Sequence, residues 1–159
     1  LGERWEKEPD KEGYSEFLAN KIYEPSYLSG EYVMSKYGLL TEAVYGLSSV
    51  TTQKTKTFTN KIGIFNYSSI TPALFTGFRL RKFFSGSVAM ATKTKAIFDF
   101  LYFRFLKETP VNEKEIVELR INWENVKKKE WFEIEKYIKI GNSLRLKEVG
   151  KIIKRLIHA

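Results

Sequence analysis

The chain has 159 residues, 43% apolar and 15% aromatic, with 27 basic and 19 acidic side chains for a formal charge of +8. That composition supports a core and argues against disorder, and the length suits one domain burying roughly 70% of its unfolded surface. There is no cysteine, hence no disulfide frame and no thiolate chemistry, and no apolar run approaches the roughly 18 residues of a membrane span.

The opening residues 1–13 are polar and read as a tail left from a longer protein, with 14–159 as one domain. No signal peptide opens the chain, and the lack of cysteine is compatible with a reducing cytoplasm, the expected location. "YSEFLANKIY" (14–23) spaces its apolar residues as a short helix, which Pro25 stops. In "SYLSGEYVMSKYGLL", Ser29 is placed as an N-cap, Val33, Met34 and Tyr37 make an apolar stripe, and Gly38 falls where a left-handed C-terminal cap belongs.

"SVTTQKTKTFTNKIGIFNYSSI" (49–70) is strand-like, rich in Thr, Val and aromatics. A turn at Asn60-Lys61 predicts a hairpin with a two-residue loop, pairing 58 with 63 and 56 with 65. One face then carries Lys54, Lys56, Phe58, Phe65 and Tyr67, with Lys61 in the loop. Lysines among rings suit a single-stranded nucleic-acid platform. Rings packed inward with lysine stems passing over them is the favoured alternative, because aromatic faces are more often core.

This stretch lies in a wider gap. From Ala43 to Phe98 there are 56 residues, eight Lys or Arg and no carboxylate; the remaining 19 bases balance the 19 acids. A segregated charge gives a directed field, for which polyanions are the natural partners: nucleic acid first, anionic lipid second. A sheet whose acids merely lie elsewhere is the plainer account.

"PALF" (72–75) reads as a helical turn, and "GFRLRKFFSGSVAMA" (77–91) as one or two strands with a turn or bulge at Gly86. Arg79 and Arg81 share strand parity and are grouped with Lys82 and the hairpin lysines as one basic surface. "TKTKAIFDFLYFRFL" (92–106) is apolar all round, so it predicts a central helix capped by Thr92. Asp99 inside it faces Lys95, four residues earlier, and is read as a paired core acid in preference to a polar anchor of a site.

Beyond Pro110 the charge is mixed and the spacing helical, over 112–121, 125–140 and 143–159. The last helix is amphipathic and basic, which fits a docked terminal helix better than a membrane-surface helix. The expected fold is therefore α+β: a small, mainly antiparallel sheet from 46–91, packed by the 92–106 helix, with helices at both ends.

Enzyme signatures are mostly absent. The single histidine is His158 and the two aspartates are Asp10 and Asp99, so neither a conventional triad nor the clustered carboxylates of a two-metal site can be assembled from them. No P-loop or dinucleotide fingerprint occurs. No catalytic residue, metal site or cofactor is expected.

Two stretches resemble one family. "PSYLSGEYVMSKYGLLTEAVYGLSSVTTQKTKTFTNKIGIFNYSSITPALFTGF" and "ATKTKAIFDFLY" are similar to signatures of the AbiEi-type antitoxins of bacterial type IV toxin–antitoxin and abortive-infection systems. In the second, Thr92 stands for the family's capping serine and Lys95, Ala96 and Asp99 match directly, while Lys93 and Thr94 depart from its Pro and Glu. The resemblance covers roughly residues 20 to 106. It implies the C-terminal part of a cytoplasmic antitoxin that represses its own promoter beside an N-terminal winged-helix DNA reader and opposes a nucleotidyltransferase-like toxin. It supplies no catalytic residues. An autonomous basic nucleic-acid-binding or nuclease-like domain, and a plain protein-interaction module, are the rival readings.

Overall fold

A computed structural model describes residues 11–158, so the tail expected over the first ten residues, with Asp10, and the side chain of His158 lie outside the described residues. Helix α1 (Lys11–Ile22) begins earlier than the apolar spacing predicts. Strand β1 (Ser26–Leu28) follows, then the short helix α2 (Glu31–Lys36). Strands β2 (Leu47–Thr51), β3 (Lys56–Thr59), β4 (Ile64–Ser69), β5 (Phe78–Phe83) and β6 (Gly86–Ala91) come next, with a 3-10 turn at Pro72–Leu74. Helix α3 (Lys93–Arg104) is central, and α4 (Glu113–Glu118), α5 (Lys128–Gly141) and α6 (Leu144–His158) complete the described chain.

The fold is α+β. The six strands form one mixed sheet in the order β3-β4-β2-β1-β6-β5. Its pairings are mostly antiparallel, with β1–β6 and β2–β4 parallel. The β1–β6 ladder is brief, and the Asn20 amide extends it: the side chain both donates to the Ala89 carbonyl (3.3 Å) and accepts from the Ala89 N–H (2.5 Å). A side chain thus satisfies a backbone pair that the short β1 leaves open.

Strand alternation sorts the sheet into two faces. Phe65, Tyr67, Leu28, Val88 and Phe83 share one, which α1 covers: Tyr67 donates its hydroxyl to the Ala19 carbonyl and Phe17 stacks on Phe83 at 5.4 Å. Tyr27 and Phe78 lie on the other, their rings stacked at 4.7 Å, and α3 packs there with α2 and α5 on its flanks. Eight α3 residues are buried, from Thr94 to Tyr102, as an all-round apolar helix requires. The stripe of α6 is also buried at Val149, Ile152 and Ile153, packed with α4 and α5, which is the docked terminal helix expected.

Three local expectations are corrected. The β3–β4 loop has four residues, 60–63, so Phe58 pairs with Phe65 and Lys56 with Tyr67. Asn60 and Gly63 exchange backbone bonds, and the Asn60 side chain accepts from the Ile62 and Gly63 N–H groups, which closes a wider turn. Four is still even, so the shared face of Lys56, Phe58, Phe65 and Tyr67 survives. Ser29 does not cap α2; Gly30 holds that position at φ 64. Gly86 is the first residue of β6, and the β5–β6 turn is Phe84-Ser85.

Candidate functional site

The basic residues do not form one surface. β3 and β5 are the two outer strands of the sheet, so the Lys56 edge and the Arg79–Arg81–Lys82 edge are five strand spacings apart, about 24 Å. Lys54 lies before β3, with its carbonyl accepting the Tyr23 hydroxyl at 3.1 Å, and Lys61 sits in the adjoining loop. Lys82 alternates to the opposite face of β5 from Arg79 and Arg81. The single basic face built on strand parity is therefore corrected: parity fixes a face within one strand but says nothing of strand order. On the hairpin, Phe65 and Tyr67 are buried and the exposed Lys56 holds its ammonium 4.9 Å from the Phe58 ring, so the rings serve the core.

Arg81 is engaged by a carboxylate. Glu16, on the buried side of α1, accepts from Arg81 (2.6 Å) and the Tyr32 hydroxyl (2.7 Å) and pairs with Lys36 (2.9 Å). Burial opposes ionisation of Glu16, but bonds from Lys36, Tyr32 and Arg81 outweigh it and hold the carboxyl below its usual range.

Thr92, Lys95 and Asp99 come together as expected of a helix start. The Thr92 hydroxyl oxygen accepts from the Lys95 N–H at 3.3 Å. The Lys95 ammonium, fully buried, donates to Asp99 (2.7 Å), the Tyr27 hydroxyl (2.6 Å) and the Leu74 carbonyl (2.8 Å), using all three protons. Asp99 also accepts from Tyr27 (2.9 Å) and Ser29 (2.7 Å). Burial pushes the Asp99 carboxyl up and the Lys95 ammonium down, and their mutual attraction works against both shifts. With every polar atom bonded, this network is an anchor joining β1, the 3-10 turn and α3. Sequence spacing gave the Lys95–Asp99 pair, while Tyr27 and Ser29, about seventy residues away, carried no local signal.

The basic residues that do meet line a cleft of about 550 Å³, open to solvent between β5, the start of α3 and the start of α5. Arg79, Arg81, Lys93, Lys127 and Lys129 surround it, with Tyr37 at the end of α2 and with Glu130 and Glu133. Both carboxylates are occupied. Glu130 accepts from Lys93 (3.0 Å) and from the Lys127 N–H (2.9 Å), and Glu133 from the Thr94 hydroxyl (2.9 Å). Lys93, Lys127 and Lys129 escape a strand-based reading because two of them lie beyond Pro110, where acids and bases alternate along the chain. Among the described residues no group of His, Cys, Asp and Glu is placed to hold a metal ion, and no helix is long and apolar enough to cross a membrane.

Compared with protein-family models, curated proteins and solved structures, the chain matches none.

Proposed function

We propose that this chain is an antitoxin domain of the AbiEi type, which neutralises a nucleotidyltransferase-like toxin in the cytoplasm and supports promoter binding in concert with a winged-helix DNA reader. What supports the reading is the convergence of its two signature-like stretches. The first stretch contributes Tyr27, Ser29 and the Leu74 carbonyl, the second contributes Lys95 and Asp99 with the Thr92 cap, and the buried network is built from these two stretches alone. The residues that carry the resemblance are thus those on which one another's burial depends, as expected when a signature specifies a fold rather than a catalytic centre. The domain is proposed to act without catalysis, cofactor or metal.

In this reading base-specific readout belongs to the winged helix. Cations on sheet edges and helix starts engage backbone charge and carry no sequence information. A competition gel shift with the native promoter against random duplex of equal length tests this division. The expected result is weak binding without preference; a preference above about tenfold, worth ~1.4 kcal/mol, would place a reader within these 159 residues. A nuclease would instead cut plasmid or RNA in the presence of Mg²⁺ or Mn²⁺ and lose that activity in EDTA.

A further inference from the structure

The geometry points to the cleft between β5, α3 and α5 as a binding site for a single strand of nucleic acid, with phosphates on Arg79, Lys127 and Lys129 and a base against Tyr37. This goes beyond the antitoxin reading and does not depend on it.

Charge is the first ground. Five cations and two carboxylates line the cleft. Lys93 is spent on Glu130 and on the Asn125 carbonyl, and Arg81 on Glu16. Neither cleft carboxylate is left unbonded to meet an incoming anion. Arg79, Lys127 and Lys129 are exposed and have no carboxylate within ion-pair distance among the described residues. They come from two elements, β5 and the start of α5, that line one concavity. Lys127 also acts on Glu130 through its charge, without an ion-pair contact, and three such cations on a concave surface raise the local potential for an anion above that of the same charges spread over a convex one.

The second ground is the polar and aromatic character of the walls. The cleft includes Thr92 and Thr94 at the first turn of the twelve-residue α3, and its other wall is the first turn of the fourteen-residue α5. Both helix dipoles therefore reinforce the positive field of the side chains. Tyr37 is 47% exposed, and Lys93 holds its ammonium 5.8 Å from that ring. A half-exposed ring in the same cleft as cations free of ion pairs is the combination that single-strand binding uses, since every base has a π-face and every nucleotide a phosphate. In a duplex the bases are stacked and paired, so it could offer this cleft its backbone but no ring for Tyr37.

The test measures binding of fluorescein-labelled single-stranded RNA and DNA of about 12 nucleotides by anisotropy. Unlabelled duplex of the same sequence, mononucleotide and inorganic phosphate serve as competitors. Single strands should bind more tightly than duplex, with mononucleotide and phosphate competing only weakly; the RNA and DNA arms decide which single strand is preferred. Arg79→Ala/Lys129→Ala should weaken binding at least about tenfold and flatten the slope of log affinity against log salt by about 1.4, that is ~0.7 per lost phosphate contact. Lys127→Ala should act in the same direction, and Tyr37→Ala should cost about fivefold or more with the salt slope unchanged. Lys54→Ala/Lys56→Ala, on the far edge, should leave affinity within about twofold. The altered side chains are exposed, so unchanged circular dichroism is expected and is checked first. Duplex binding as tight as single strand, absence of binding to any oligonucleotide, or a larger loss from the far-edge pair than from the cleft variants would each overturn the assignment.

Discussion

Replacing Lys95 by Met probes the buried anchor directly. The substitution keeps an apolar stem of similar length but removes three hydrogen bonds, to Asp99, Tyr27 and the Leu74 carbonyl, and leaves the Asp99 carboxylate without its counter-charge at a site with no exposure. Breaking a buried pair by removing one partner costs about 3–5 kcal/mol, because the surviving charge stays desolvated. Set against a typical stability of ~5–15 kcal/mol, that is about a fifth or more of the total and roughly 6–20 °C in Tm for a chain of this size. Asp99→Leu should cost a similar amount. The double variant should cost less than the two singles together by at least about 2 kcal/mol, since it leaves no orphaned charge. The sign of the pH response is also fixed. Burial raises the folded pKa of Asp99 and the Lys95 charge opposes that rise, so without Lys95 the pKa rises further and stability is lost as rising pH forces the carboxyl to ionise. The deficit of Lys95→Met relative to the parent should therefore shrink on moving from pH 7 toward pH 4. Urea titrations followed by tryptophan fluorescence and circular dichroism supply these values. Single substitutions costing under about 1 kcal/mol, or strictly additive ones, would refute the account of the network.

The Glu16 carboxyl is held below the ordinary 4.5, so its contribution is present above that pH and is lost as pH falls through the lower folded value; Glu16→Gln should remove that part of the acid sensitivity in urea titrations across pH 3–6. Gly77→Ala should destabilise by about 2–4 kcal/mol by thermal melting. Gly77 sits at φ 77, and an added Cβ would fall 2.7 Å from Lys95 Cγ and 2.8 Å from the Tyr137 hydroxyl. Thr92→Ala, which deletes the cap of α3, should cost about 1 kcal/mol in the same melts, while Thr92→Ser should cost a few tenths.

Much of the fold could be read from local pattern. The all-round apolar run of α3, its Thr92 cap, the i,i+4 spacing of Lys95 and Asp99 and the left-handed Gly38 are short-range features, and their physics is contained within a few residues. Strand parity survived a wrong loop length because the true loop was also even. Non-local order was not legible. β1 is three residues beside Pro25 with no alternation to reveal it, yet it sits between β2 and β6 and sends the β3–β4 hairpin and the β5–β6 hairpin to opposite sides. That placement is what divides the basic residues. Ser29 was misread for a related reason: a serine before a helical stripe is a good local cap, but its hydroxyl is used by Asp99 across the fold. The cleft joins residues on both sides of Pro110, a grouping that charge counted along the chain cannot see.

Toxin neutralisation in cells bears most directly on the proposed function. The chain is expressed from one promoter and a nucleotidyltransferase-like toxin of the proposed class from a second, inducible one, with colony counts taken on induction. The antitoxin reading predicts that the chain restores plating to near the uninduced level, that Arg79→Ala/Lys129→Ala stays folded in the same cells, and that Lys95→Met loses protection in step with its loss of folded protein. A folded, abundant chain that leaves plating at the level of toxin alone would contradict the reading.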